Sequence, residues 1–159
     1  MKVIFLDIDG VLNSKRYSNE RDWRTQGNID ETRLPLLRRI VEETGAVIVL
    51  TTTWREYWNP DPALWDPRWQ PSGEVFARHG LEIFDRTPAY EGNNRDAEVR
   101  DWLAAHAGEV ESFVILDDMH LGWGDLADRL VQTSARIGRG LMENHVEQAI
   151  QLLMIPISP

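Results

Sequence analysis

The sequence predicts an α/β fold of three layers, a central parallel sheet of about five strands sandwiched between helices. Two observations carry this expectation. Short apolar runs alternate with segments of helical periodicity, the pattern of strands joined in parallel through helical crossovers. Three of those runs also stop abruptly at polar clusters, Asp7/Asp9, Thr51/Thr52 and Asp117/Asp118. In a parallel sheet such strand ends meet along one edge, where ligands bind. At 159 residues the chain suits a single domain over residues 1–159 with a substantial core.

Each element follows in order. Val3–Leu6 is a continuous apolar run, as expected of a strand buried on both faces. A polar stretch, Asn13–Asn28, comes next. A helix fits Arg33–Thr44, with Thr32 as its cap, Pro35 in its first turn and Gly45 at its end. Ala46–Leu50 is the second strand, ending at Thr51, Thr52 and Thr53. Residues 54–71 form an insertion rich in tryptophan and proline, with Pro60, Pro62, Pro67 and Pro71 excluding a long regular helix. Ser72 can cap a short helix that stops at Gly80. Leu81–Phe84 is the third strand. Asn94 caps a helix whose positions Val99, Trp102, Leu103 and His106 recur at helical spacing, with Trp102 and Leu103 in the core. Phe113–Leu116 and the weaker Leu130–Gln132 complete the strands, and a last helix covers Glu143–Met154.

Composition narrows the function. The absence of cysteine excludes a disulfide scaffold, a zinc-thiolate site and a cysteine nucleophile. No apolar run approaches the ~20 residues of a membrane span, so no membrane partner is expected and the protein is read as cytoplasmic. A net charge of −9 argues against broad, sequence-independent nucleic-acid binding, though not against a local basic groove. His79, His106, His120 and His145 lack metal-ligand spacing.

The chemistry lies in the polar strand ends. Residues two apart on an extended segment point the same way, so Asp7 and Asp9 both face the crevice, where Asp117 and Asp118 arrive from another strand. A pair of like unit charges ~4 Å apart repels by about 4 kcal/mol at an effective dielectric of ~20. A divalent cation relieves that repulsion, and a small set of oxygen ligands suits Mg²⁺. An EF-hand fails on spacing, because counted from Asp7 the glycine stands at position four and Ser18 at position twelve. Thr51 or Thr52 can donate a hydroxyl to a phosphoryl oxygen. Arg95, in the first turn of its helix, adds a cation beside free backbone N–H groups. Together these are what phosphoryl transfer needs.

The segment DIDGVLN, a threonine after an apolar strand, a basic residue opening a later helix, and ILDD together resemble the four motifs of the haloacid dehalogenase (HAD) phosphohydrolases. TTTWR resembles the hydroxyl-rich motif of a small branch associated with RNA repair. The resemblance implies a Rossmann-like sandwich and a Mg²⁺-dependent phosphomonoesterase. It makes Asp7 the nucleophile and Asp9 the general acid and base, with its main-chain carbonyl on the metal. Thr51 becomes the phosphate-binding hydroxyl, with Thr52 one register away, and Arg95 stands where the family usually has lysine. Asp117 becomes the third metal ligand, with Asp118 behind it. Both gaps that could hold a cap, Leu12–Arg33 and Thr53–Leu81, are too short for a large one. An open site tolerates a bulky phosphorylated substrate, such as a nucleotide or nucleic-acid end or a phosphoprotein, or else relies on a partner subunit to cover it. Trp54, Arg55 and Trp58 are candidate substrate contacts, through stacking and a phosphate contact. The rival readings are a receiver-like phosphoacceptor domain and a non-catalytic binding module on the same scaffold.

Overall fold

A computed structural model of the chain describes residues 1–92, 94–120, 122–136 and 138–158. Five strands, β1 (Lys2–Leu6), β2 (Val47–Leu50), β3 (Ile83–Arg86), β4 (Ser112–Asp117) and β5 (Leu130–Gln132), form one all-parallel sheet in the order β3-β2-β1-β4-β5. The first strand thus sits at the centre, with Leu6 level with Leu50 on one side and Leu116 on the other. The order is not the 2-1-3-4-5 of flavodoxin-like sheets, to which receiver domains belong.

Burial on both faces explains the unbroken apolar strands. Ile4 and Leu6 face α3 (Leu34–Thr44), α4 (Gln70–Arg78) and α6 (Glu143–Leu153), which bring Leu37, Ile40, Phe76, Val146 and Leu153 into one core. Val3 and Phe5 face the opposite layer, where α5 (Arg95–Ala105) contributes Val99 and Trp102. Phe5 and Trp102 meet edge to face at 5.4 Å, an arrangement worth roughly 0.5–1.5 kcal/mol beyond the area it buries. Two short helices, α1 (Lys15–Asn19) and α2 (Trp23–Gln26), occupy the polar stretch after β1. Among the described residues there is no cap domain over the sheet edge. Among the described residues no helix is long and apolar enough to cross a membrane.

The element boundaries differ from expectation where capping and burial compete with local pattern. Asp30, not Thr32, opens the segment before α3: its carboxylate accepts from the Thr32 N–H, and a 3-10 turn over Glu31–Arg33 precedes the helix. Gly45 ends α3 as expected, in the left-handed conformation at φ 70°. The α4 helix begins at Gln70, so Ser72 is buried within it rather than capping it. β3 runs two residues later than the apolar pattern suggests, through the half-exposed edge residues Asp85 and Arg86, because parallel pairing with β2 sets its extent. Asn94 caps α5 as expected, accepting from the Ala97 N–H.

Candidate active site

The parallel ladder continues one residue past the apolar runs. The Asp7 N–H donates to the Leu116 carbonyl at 3.0 Å, and the Thr51 N–H donates to the Leu6 carbonyl at 2.9 Å. Asp7 and Thr51 therefore stand side by side just beyond the strands, and Asp117 closes β4 on the other side of Asp7. All three are buried. Arg95, on the first turn of α5, reaches across to them. Its Nη1 donates to Asp7 Oδ2 at 2.7 Å and to Asp117 Oδ2 at 2.6 Å. One guanidinium thus bridges the two carboxylates that the sequence analysis placed on separate motifs. Arginine suits this place because its charge persists under burial: burial pulls its pKa down, and Asp7 and Asp117 more than offset that, leaving it raised.

The remaining acids divide. Oxygens of Asp7, Asp117 and Asp118 lie within 4.8 Å of one another and can hold a metal ion together. Burial first, offset by Arg95 and reinforced by the Asp117 charge, pushes the Asp7 carboxyl up to about 7. Burial and Asp117 push Asp118 up as well. Gly10 makes room for this cluster. It has φ 81°, and a Cβ there would lie 2.5 Å from the Asp118 carboxylate. The Asp9 side chain turns away to the exposed rim. It accepts from Trp54 Nε1 at 3.0 Å, from Asn13 Nδ2 at 3.0 Å and from Asn28 Nδ2 at 2.5 Å. Asp9 is thus the most solvent-facing of the four acids, while Asp7 and Asp117 are buried and Asp118 half-buried beside them.

The two threonines separate by hydrogen bonding. The Thr52 hydroxyl is occupied as a cap, accepting from the Trp54 N–H at 3.3 Å. The Thr51 hydroxyl is buried with no partner. Of the two hydroxyls, the one without a protein partner is thus that of Thr51, one strand from Asp7.

Two candidate substrate residues do not line the opening. Arg55 is buried: it pairs with Glu98 at 2.9 Å and donates to the carbonyls of Thr51 at 2.6 Å and Thr52 at 2.8 Å. Its charge is spent inside the protein, holding the threonine turn against α5, so no phosphate contact is open to it. Trp58 is also in the core, at 5% exposure, since Pro60 and the packed indoles of Trp65 and Trp69 fold the insertion back onto α4. Trp69 is fully buried and stacks on Phe76. Of the insertion's tryptophans, Trp54 is the one bonded to a candidate catalytic acid.

Sequence reasoning missed Asn13, Asn28 and Trp23. Asn13 lies four residues after Asp9 within DIDGVLN, a spacing that a turn following the strand could have suggested. Asn28 has no local signal, since it reaches Asp9 only through the fold of α1 and α2. Trp23 packs edge to face on Trp54 at 4.9 Å, inside a stretch that read as plainly polar.

No curated protein matches the chain. A family model does, over residues 3–146, and its description is the HAD domain in Swiss Army Knife RNA repair proteins. That span covers the strand ends with Asp7, Thr51 and Asp117, the helix with Arg95, and the start of α6, so this chain belongs to the HAD domains of Swiss Army Knife RNA repair proteins.

Proposed function

We propose that this domain is a Mg²⁺-dependent phosphomonoesterase that works through an aspartyl-phosphate on Asp7, with nucleotide or nucleic-acid end phosphates as its substrates. HAD membership supports a phosphohydrolase in general. The observation that carries the finer reading is the buried set of Asp7, Asp117 and Arg95, with the unpartnered Thr51 hydroxyl beside it. The acidic trio fits a divalent cation, because burial and crowding hold Asp7 and Asp118 toward their protonated forms and a cation would reverse that. Bound by Asp7, Asp117, Asp118 and the Asp9 main chain, Mg²⁺ would supply positive charge against the phosphoryl oxygens.

The chain's own groups supply the rest. Arg95 and the Thr51 hydroxyl bind phosphoryl oxygens and align the phosphorus with Asp7. A carboxylate oxygen of Asp7 attacks phosphorus while the bond to the ester oxygen breaks, and Asp9 gives that oxygen its proton. Asp9, now ionised, takes a proton from water. The resulting hydroxide attacks the phosphorus, inorganic phosphate leaves, and Asp7 is restored. Trp54, Asn13 and Asn28 fix the Asp9 carboxylate at the rim, where both transfers would occur.

The test is phosphate release from phosphorylated oligonucleotides, mononucleotides and sugar phosphates, with Mg²⁺ and with excess chelator. Activity should require the metal, and Asp7→Asn should lower kcat on the order of 10⁴-fold or more in a folded protein. Full activity in chelator, or appreciable turnover by Asp7→Asn, would sink the reading.

A further inference from the structure

The charge on the rim is unevenly shared. The chain carries −9 overall, yet residues 15–24 and 133–142 hold six basic residues against two acidic ones. The fold stitches these two segments together beside Asp9. The Lys15 N–H donates to the Ala135 carbonyl at 2.9 Å, the Leu141 N–H to the Val11 carbonyl at 2.7 Å, and the Thr133 hydroxyl to the Gly10 carbonyl at 2.6 Å.

Ion pairing sharpens the contrast. On the α5 side of the opening the cations already face carboxylates: Arg95, inside the site itself, faces Asp7 and Asp117, and Arg100 faces Asp96 and Asp125. Elsewhere Arg86 and Arg129 donate to backbone carbonyls, and Lys2 meets the Met154 sulfur. Lys15, Arg24, Arg136 and Arg139 meet no carboxylate among the described residues, and all four lie on the two stitched segments; Arg21 beside them donates to the Gln26 carbonyl at 2.8 Å. Lys15, Arg24, Arg136 and Arg139 are exposed. Planar groups accompany them. Arg24 lies over the Trp23 ring at 4.9 Å, Arg21 over the Tyr17 ring at 4.7 Å, and Trp23 leads through Trp54 to Asp9.

From this juxtaposition we infer that the face built by α1, α2 and the 133–142 segment is a track for a single-stranded polynucleotide whose terminal phosphate enters the site. A repeating anion flanked by flat bases matches unpaired cations interleaved with aromatic rings. Lys15, Arg136 and Arg139 take backbone phosphates, and Trp23 with Arg24 stacks a base next to the reacting end. The inference rests on the phosphomonoesterase reading for its terminus but makes separate demands.

The experiment measures fluorescence anisotropy of the full chain with a labelled, unphosphorylated single-stranded oligonucleotide across a salt series. Selectivity for a phosphorylated oligonucleotide over a mononucleotide is measured alongside it. Three phosphate contacts, to Lys15, Arg136 and Arg139, give a slope of log affinity against log salt near about −2.1. The double variant R136E/R139E should make that slope shallower by about 1.4 and cut the selectivity about tenfold. Trp23→Ala should weaken binding about tenfold with the slope kept. Arg38→Glu, on α3 and paired with Glu42, is the control and should change neither. Strand binding with the expected slope in a protein that releases no phosphate would support the track while sinking the phosphatase reading. Mononucleotide hydrolysis without strand binding, or with binding and selectivity indifferent to R136E/R139E, would overturn the track and leave the phosphatase standing. Equal affinity for a poly-glutamate peptide would also overturn it, in favour of a general polyanion surface.

Discussion

At the scale of single residues, the two adjacent threonines make opposite predictions. The Thr51 hydroxyl has no protein partner, so Thr51→Val should leave the unfolding midpoint nearly unchanged and lower kcat/KM by about tenfold or more, one lost bond to a charged phosphoryl group. Thr52 caps the turn that follows it, so Thr52→Ala should cost about 1 kcal/mol of stability. Denaturant unfolding and steady-state kinetics on both variants read this directly, and a kinetic defect confined to Thr52→Ala would reverse the assignment. Asp7 makes a prediction about pH. Its folded-state pKa is raised from 3.8 to about 7, mainly by burial. Between those values the folded protein holds a proton that the unfolded chain has lost, so the Asp7 contribution to stability falls as pH rises through this window. Metal-free wild type should lose stability from pH 4 to pH 7 relative to Asp7→Asn, in which the group cannot ionise. Parallel curves for the two proteins would contradict this.

At the scale of elements, the buried Arg55–Glu98 pair joins three of them. Arg55 holds the turn after β2, Glu98 sits one turn beyond Arg95 on α5, and the Glu98 carboxylate also accepts from the Tyr90 N–H in the segment between β3 and α5. Removing one partner strands the other charge in a dry interior. Arg55→Met should therefore cost about 3–5 kcal/mol, a fall in Tm of roughly 10 °C for a domain of this size. A thermal melt that moves by less than a degree or two would show the pair to be dispensable. Much of this level was legible in advance. Short apolar runs located four of the five strands to within a residue and placed the third two residues early, and the strand-end rule gathered Asp7, Thr51 and Asp117. Arg55 and Trp58 misled because a one-dimensional pattern cannot tell which way an irregular segment folds back. The proline-rich insertion turned Trp58, Trp69 and Arg55 inward, where backbone carbonyls and Glu98 meet the arginine. Asn28 was invisible for the complementary reason, being brought to Asp9 by two short helices with weak local signals.

At the scale of the whole molecule, a single cation should act as a structural brace. Mg²⁺ held by Asp7, Asp117 and Asp118 would tie β1 to β4, and binding at a hundredfold excess over Kd stabilises a fold by about 2.7 kcal/mol. Because Asp7 must ionise to bind it, the Mg²⁺-induced rise in Tm should grow with pH and vanish in Asp117→Asn. A rise independent of pH, or one kept in that variant, would place the ion elsewhere. The central position of β1 has a consequence for biosynthesis. Asp7 is translated before its neighbour Asp117, which follows 110 residues later. At roughly 5–20 residues per second the ribosome needs about 5–20 s to supply it. Until β4 is made, the nascent chain carries a strand of one lysine and four apolar residues with its β4-facing edge bare, the kind of edge that other chains can pair with. Slowing translation between β2 and β4 should therefore raise the aggregated fraction of newly made protein, although the finished fold leaves no trace of that exposure.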